Sequence, residues 1–407
     1  MARLAPWPRD RRVAVAVSGG ADSMCLALLT KGWGTPIGLI IDHGLRAESA
    51  DEAGLTQLRL ARLGMPSEIL IVRELAPGPG LAARARAARY AALAAVAAGR
   101  GLSDLLLGHH AGDQAETVLM RAEAGSGPAG LAGMPGVAFR DGMRLVRPLL
   151  GVAPSMLRAT LVEAGIAWVD DPSNSNPAAL RTRLRARLAD GDETGRLMQA
   201  AGRAATRRAA QDREVAAQLA ARARLFSEGY AVLSPGAVMP EALAALIRVV
   251  GGRVHGPGRE AVRALAEEPR PSTLGGVRLL PAGRLGLGLL LVRETAAMAP
   301  ALEAADGVVW DGRFRLVAED GLPAGSVIAA LGPRAAGFRG RSQLPAAVLQ
   351  TLPCLERSRE VYAVPQLGYF TGWTNLRLRV TLNPPEPACG APWVGDAEPA
   401  RYHHVAS

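Results

Sequence analysis

Three polar clusters carry the residue types that chemistry needs. The first, Ser18-Gly19-Gly20-Ala21-Asp22-Ser23, follows the run Val13 to Val17 and precedes a helical stretch from Met24 to Leu29. A strand-to-helix turn of this kind offers backbone N–H groups, glycines free to adopt positive φ and the positive end of a helix, which together cradle an anion; phosphate is the natural guest. It is not a Walker A loop, because the G-K-[ST] element is missing and Lys31, the chain's only lysine, lies too far along the helix to reach back. Nor does it fit G-x-G-x-x-G. An aspartate inside an anion nest is electrostatically unfavourable unless a cation stands between the two, so Asp22 implies Mg²⁺ bridging to a polyphosphate.

The second cluster is His109-His110-Ala111-Gly112-Asp113-Gln114-Ala115-Glu116-Thr117. Asp113 and Glu116 are three residues apart, so on a helix both carboxylates project from one face. Two adjacent anions call for a cation, and either a metal or an organic ammonium would serve. Zinc would ask for a third ligand in the style of H-E-x-x-H, and that pattern does not occur here. The third cluster is basic: Arg196, Arg203, Arg207, Arg208 and Arg213 stud a helical region from Thr194 to Phe226. Arg203 and Arg207, at i,i+4, repel unless something anionic compensates, while Asp212 and Glu214 could supply local counter-charge on an ordinary solvated helix.

These clusters need rigid elements to position them. From Arg12 to about Leu188, short apolar runs alternate with amphipathic stretches, the texture of a parallel sheet covered by helices. Strands are expected at Val13–Val17, Ile37–Ile41, Ile69–Val72 and Leu105–Leu107. Ser49 with Glu52 reads as a capping box, Gly64 as the stop of the helix it opens, and Leu81–Ala98 as an alanine- and arginine-rich helix. Ligands of open α/β sheets bind at the carboxyl ends of the strands, where Ser18–Ser23, Asp42-His43-Gly44 and His109–Asp113 all fall. Beyond the long helical region come a leucine-rich helix, a hairpin at Val277–Leu280 and Leu285–Val292, a Gly- and Pro-rich β-containing stretch, and a loose tail from Pro384. The expected organisation is α/β: a parallel-sheet, Rossmann-like domain over residues 1–190, a helical/α+β middle domain over 191–300, a small α+β C-terminal domain over 301–380, and a tail over 381–407.

Composition narrows the partners. The 407 residues hold 47 Lys+Arg against 37 Asp+Glu, a formal net charge of +10, which favours a polyanion such as nucleic acid. Three scattered cysteines, Cys25, Cys354 and Cys389, form neither a disulfide framework nor a metal ribbon and suit a reducing cytoplasm. No apolar run reaches the ~18 residues of a membrane span, and Arg9, Asp10, Arg11 and Arg12 stand where a secretory signal would be apolar.

Ser-Gly-Gly-x-Asp-Ser after a first strand resembles the signature of the PP-loop ATP pyrophosphatases, which cleave ATP to AMP and pyrophosphate while adenylating a substrate oxygen. Within that superfamily, His110 to Thr117 is similar to the H-x-x-D-x-x-E-T segment of the tRNA(Ile)-lysidine synthetases. So are Gly125–Met134 to their glycine-rich segment, Arg147–Leu150 to an R-P-L-L strand, Trp168–Asn174 to W-x-x-D-x-[ST]-N, Arg181–Arg185 to R-N-x-[IL]-R, and Arg84–Tyr90 to A-R-x-x-R-Y. Ala82, Gly112, Ala124 and Thr182 depart from the pattern, where an acid, Asp or Asn, Arg and Asn are usual.

The resemblance implies an ATP-dependent ligase, working in the cytoplasm, that joins free L-lysine to the wobble cytidine of the CAU anticodon of tRNA(Ile) through an adenylated base. It implies ATP on Ser18, Gly19, Gly20, Ala21, Asp22 and Ser23, with His43 and His110 nearby and Mg²⁺ on Asp22. Asp113 and Glu116 would hold lysine, Arg89 and Arg185 would act with Asp22 in catalysis, Arg203, Arg207 and Arg208 would meet tRNA, and a homodimer is compatible. A tRNA thiolase of the same superfamily, and a nucleotide- or RNA-binding module without turnover, are the other readings.

Overall fold

The computed structural model describes residues 12–42, 44, 48–72, 81–140, 143–169, 184, 191–372 and 377–388. The chain separates into two compact units, Met1–Ala210 and Gln211–Ser407.

In the first unit the elements run β1 (Arg12–Val17), α1 (Ala21–Lys31), β2 (Thr35–Asp42), α2 (Ser49–Arg62), β3 (Ser67–Ile71), α3 (Leu81–Gly99), β4 (Asp104–Leu106) and α4 (Ala111–Glu123). A one-turn α5 (Pro128–Leu131), the hairpin β5 (Val137–Arg140) and β6 (Met143–Val146), and α6 (Pro154–Glu163) follow. The sheet order is β3-β2-β1-β4-β6-β5; the neighbours from β3 to β6 are parallel and only β5 joins antiparallel, at the edge. Strand alternation explains the layering. Val13, Val15 and Val17 of β1 pack with Met24 and Leu26 of α1, Leu60 of α2 and Leu157 and Leu161 of α6. Ala14 faces the other side with Tyr90, Leu93 and Ala97 of α3 and Leu105 of β4. A fully buried leucine such as Leu60 or Leu105 contributes about 1.5–3 kcal/mol.

The order reverses at β1, whose neighbours β2 and β4 leave in opposite directions along the sheet. In open α/β sheets ligands bind at such a switch point, outside the carboxyl ends of the strands, and the turns after β1 and β4 lie at that end.

The long helix α7 (Gly191–Arg222) contains the division between the units. The second unit holds the antiparallel sheet β7 (Ala223–Leu225), β8 (Ala231–Leu233), β11 (Leu289–Arg293), β10 (Val277–Pro281) and β9 (Ser272–Leu274). Leu289 and Leu291 of β11 pack on α8 (Pro240–Val250) and α9 (Arg259–Glu267), while Leu290 and Val292 face Phe338, Leu349 and Val364. Beyond them lie β12 (Leu302–Glu303), β13 (Val309–Trp310), β14 (Phe314–Ala318), β15 (Val327–Ala330), β16 (Pro353–Arg357), β17 (Glu360–Val364), β18 (Tyr369–Phe370) and β19 (Leu378–Leu382), in one sheet of five strands and one of three.

Three local expectations are corrected. The Ser49/Glu52 capping box is absent: Glu48 is the N-cap of α2, and the Ser49 hydroxyl donates instead to the Asp42 carboxylate at the end of β2. Arg147–Leu150 is not a strand; β6 ends at Val146 and the chain turns. The expected loose tail is packed as far as Ala388, which is buried in the α8 core, and Glu386 pairs with Arg248 at 3.1 Å.

Candidate active site

The turn after β1 is held closed by its own serines. The Ser18 N–H donates to Ser23 Oγ (3.1 Å), and the Ser23 hydroxyl donates to the Gly20 carbonyl (3.0 Å). Gly19 has φ +84°, and a Cβ there would lie 2.4 Å from Thr56 Oγ1 of α2. Its carbonyl accepts the Val169 N–H at 2.9 Å. The loop is therefore clamped between α2 and the segment after α6, a contact that the sequence pattern did not single out.

Gly19→Ala combines left-handed backbone strain of about 1–2 kcal/mol with overpacking of about 1–3 kcal/mol. The expected result is a lower melting temperature and a smaller rise in that temperature on adding ATP, both read from a thermal melt. Wild-type values for both would show that the loop is not clamped.

Asp22 sits in the first turn of α1 with its side chain 40% exposed, and its Oδ2 is 3.5 Å from Nε2 of His110. Gly108 makes the approach possible: a Cβ there would be 3.2 Å from the Asp22 carbonyl group, so the chain leaving β4 runs directly against the start of α1. His110 is the N-cap of α4. Its Nδ1 accepts from the N–H groups of Gly112 (3.0 Å) and Asp113 (3.4 Å), and Asp113 Oδ2 accepts the His110 N–H (3.1 Å). This hydrogen bonding assigns the proton of the neutral imidazole to Nε2, which faces Asp22 at 3.5 Å and Asp113 at 3.7 Å. The reciprocal cap expected at Ser49 is thus made by His110 and Asp113.

The departure at Gly112 acquires a reason. A Cβ there would lie 2.8 Å from His110 Cε1, so any larger residue must displace the capping imidazole. Asp113 is half-buried and Glu116, one turn on, is 3% exposed. The glycine-rich segment after α4 is anchored by Gln114, which exchanges two hydrogen bonds with the backbone of Met134, and by Arg121, which donates to the carbonyls of Gly130 and Gly133.

Arg89 lies on α3 with its guanidinium 5.5 Å from the Tyr90 ring centroid. Arg203 and Arg207 are exposed on α7, Arg203 donating to Gln199 (3.0 Å); Arg208 is half-buried and donates to the Gly133 carbonyl (3.2 Å). His43 and Arg185 lie outside the described residues. The structure thus brings Asp22, His110 and Asp113 into direct proximity, with Glu116 on the same helix. No group of three or more His, Cys, Asp or Glu arranged to hold a metal occurs among the described residues. Nor is any helix there long and apolar enough to cross a membrane.

A parallel sheet with a serine-closed, glycine-rich turn after its first strand, set against an acidic helix start after its fourth, has the architecture of a PP-loop domain. The family profile described as a PP-loop domain matches residues 2–191. The chain is 36% identical over 394 residues to a tRNA(Ile)-lysidine synthase of Ruegeria pomeroyi, covering 89% of this chain and 90% of that one. It is 38% identical over 340 residues to the protein of that name from Brucella suis (75% and 74%) and 38% identical over 292 residues to that from Hyphomonas neptunium (66% and 79%). The chain belongs to the tRNA(Ile)-lysidine synthase family.

Proposed function

We propose that this protein uses ATP to join free L-lysine to the wobble cytidine of the CAU anticodon of tRNA(Ile), in the cytoplasm, releasing AMP and pyrophosphate and changing decoding from AUG to AUA. The observation that carries the reading is His110, whose Nε2 stands 3.5 Å from Asp22 and 3.7 Å from Asp113, so that the nucleotide loop and the acidic helix start are one site.

The 2-carbonyl oxygen of cytosine attacks the α-phosphorus and pyrophosphate leaves. The ε-amine of lysine, having lost a proton, then attacks the ring carbon, and the activated oxygen departs as AMP. Ser18–Ser23 and the N-terminus of α1 hold the phosphates. Mg²⁺ would fit Asp22, a partly exposed oxygen donor of the kind this hard cation takes. Bound there, the ion supplies the positive charge that reconciles a carboxylate with an anion cradle. Asp113 and Glu116 bind the lysine ammonium groups, and a carboxylate beside the amine takes up its proton. Arg89 and Arg185 offset charge developing on the phosphates. His43 and His110 line the nucleotide, and Arg203, Arg207 and Arg208 meet the tRNA backbone.

The test is incubation with ATP, labelled lysine and an unmodified transcript. Label entering the RNA with matching pyrophosphate release supports the ligase. Dependence on a sulfur donor points to the thiolase, and retained nucleotide without product to a binding module.

The thiolase reading needs a reactive thiol, which the described cysteines do not offer. Cys25 is fully buried in the sheet core, and burial together with the charge of Asp22 pushes its thiol up; burial pushes Cys354 up to about 12. Both are expected to resist maleimide at pH 8 until denaturant is added, as mass spectrometry of the labelled peptides would show; rapid labelling of native Cys25 would reopen the thiolase reading.

A further inference from the structure

The two histidines at the end of β4 serve different neighbourhoods. His110 caps α4 and faces Asp22, whereas His109 belongs to a basic group built from three other elements. Arg86 of α3 is exposed, and its Nη2 donates to the Tyr90 hydroxyl at 3.3 Å; its guanidinium lies 5.2 Å from the Tyr90 ring centroid. Arg147, at the exit of β6, is only 8% exposed, donates to the Pro135 carbonyl at 3.0 Å and approaches the Tyr90 hydroxyl. The guanidinium of Arg140 stands 4.7 Å from the same ring, and Arg89 shares it.

Two buried polar atoms of this group have no hydrogen-bond partner among the described residues: Nε of Arg147 and Nδ1 of His109. Among those residues, neither Arg86 nor Arg147 has an acidic partner, and the two repel each other. Burying a guanidinium with an unmade bond beside a second cation is costly unless an anion arrives to satisfy both. The positive field is felt at His109, whose imidazole is pushed down to about 4, first by burial and then by Arg147, with Arg86 and Arg89 adding and Asp113 opposing.

We propose that Arg86, Arg147 and His109 form a second phosphate-binding site, separate from the Ser18–Ser23 cradle, that takes a backbone phosphodiester of the RNA substrate next to the nucleotide being modified. The position suits such a contact, because His109 and His110 are consecutive and an anion held here lies beside the activating loop without competing for it. A phosphodiester fixed at this point would hold the target base in register with the phosphate it attacks, which is positioning of the kind that converts binding into rate. The same chemistry would also accept departing pyrophosphate, and the two sources separate experimentally. The choice of RNA rests on the ligase reading above; the capture of phosphate does not.

Two measurements test the site on the full chain. In the first, histidine-labelled protein is titrated by NMR with and without inorganic phosphate. The His109 pKa is expected to rise on adding phosphate, and the rise to vanish in Arg86→Ala, an exposed position whose replacement spares the fold. In the second, binding of an unmodified tRNA transcript is followed against salt. Arg86→Ala should bind about tenfold more weakly, with the log–log salt slope shallower by about 0.7–0.9. A normal tRNA slope with weakened inhibition by added pyrophosphate would keep the phosphate site and overturn the RNA assignment. A His109 resonance indifferent to phosphate, with wild-type tRNA and pyrophosphate behaviour in Arg86→Ala, would overturn the proposal. Phosphate binding at His109 in a chain that incorporates no lysine would sink the ligase reading and leave this site standing.

Discussion

Asp22→Asn, in an otherwise unchanged chain, is expected to lower pyrophosphate release and lysine incorporation together, by about 10²–10³-fold or more. The side chain is 40% exposed and makes no bond on which the β1–α1 turn depends; that turn is closed by Ser18, Gly20 and Ser23. The fold should therefore persist, with a circular-dichroism spectrum and melting temperature near wild type. What is lost is the formal negative charge that Asp22 places in the first turn of α1, and with it the carboxylate proposed above to hold a divalent cation. Asp113→Asn should behave differently. The amide oxygen still accepts the His110 N–H and preserves the cap, but the charge proposed to attract lysine is gone, so the KM for lysine should rise while lysine-independent pyrophosphate release stays close to normal. Equal failure of both half-reactions in folded Asp113→Asn would remove the ammonium-binding role; normal turnover by Asp22→Asn would remove the metal-bridged triphosphate.

The parts of this site that were legible in the sequence are those set by local physics. Val13 to Val17 alternates faces, two glycines and two serines follow, and the apolar stretch after them can only be a helix packed back on the strand; the β1–α1 turn was readable for that reason. The spacing of Asp113 and Glu116 likewise placed both on one helix. Contacts that depend on where distant segments meet were not readable. Nothing local distinguishes Gly108 from any loop glycine, yet its missing Cβ lets β4 graze α1 and bring His110 to Asp22. Ser49 and Glu52 have the right spacing for a cap, but the helix begins one residue early with Glu48 as its N-cap, which puts Ser49 inside the first turn, where its hydroxyl donates to Asp42 at the end of β2.

The basic group around Tyr90 is an intermediate case. Arg86, Arg89 and Tyr90 were visible as one segment, and their helical spacing puts Arg86 and Tyr90 on the same side. Their meeting with Arg147 required the strand order β4-β6, which brings the exits of those two strands side by side. The second unit was least legible, since its strands are short and pair across long separations: β14 with β19, and β12 with β15.

Asp311→Ala is the substitution expected to cost most in stability, about 3–5 kcal/mol, a large share of the 5–15 kcal/mol typical of a whole domain. Its carboxylate, 1% exposed, accepts from Arg293 (3.1 Å), from Nε of Arg313 (2.8 Å) and from the Ala299 N–H (2.9 Å). Both guanidinium groups also donate to backbone: Arg313 to Gly229 (2.8 Å) and Arg293 to Gly276 (2.9 Å). These bonds tie the β10–β11 hairpin to the turn between β13 and β14. Arg313 is fully buried, and its guanidinium is pushed down to about 10 by desolvation that Asp311 only partly offsets. The cluster is therefore no bargain as an ion network, yet removing its one anion leaves two buried cations facing each other. That asymmetry separates the ionic account from simple packing. Asp311→Ala should lose far more than the few buried atoms it deletes, whereas replacing Arg293, Asp311 and Arg313 together with apolar residues of similar volume should recover much of the loss. Hydrogen exchange resolved by peptide would read the effect directly, as loss of protection in β11 and β14 with β1 and β4 unchanged. If Asp311→Ala loses less than about 1 kcal/mol, the range of an ordinary surface ion pair, the cluster does not hold the second unit together.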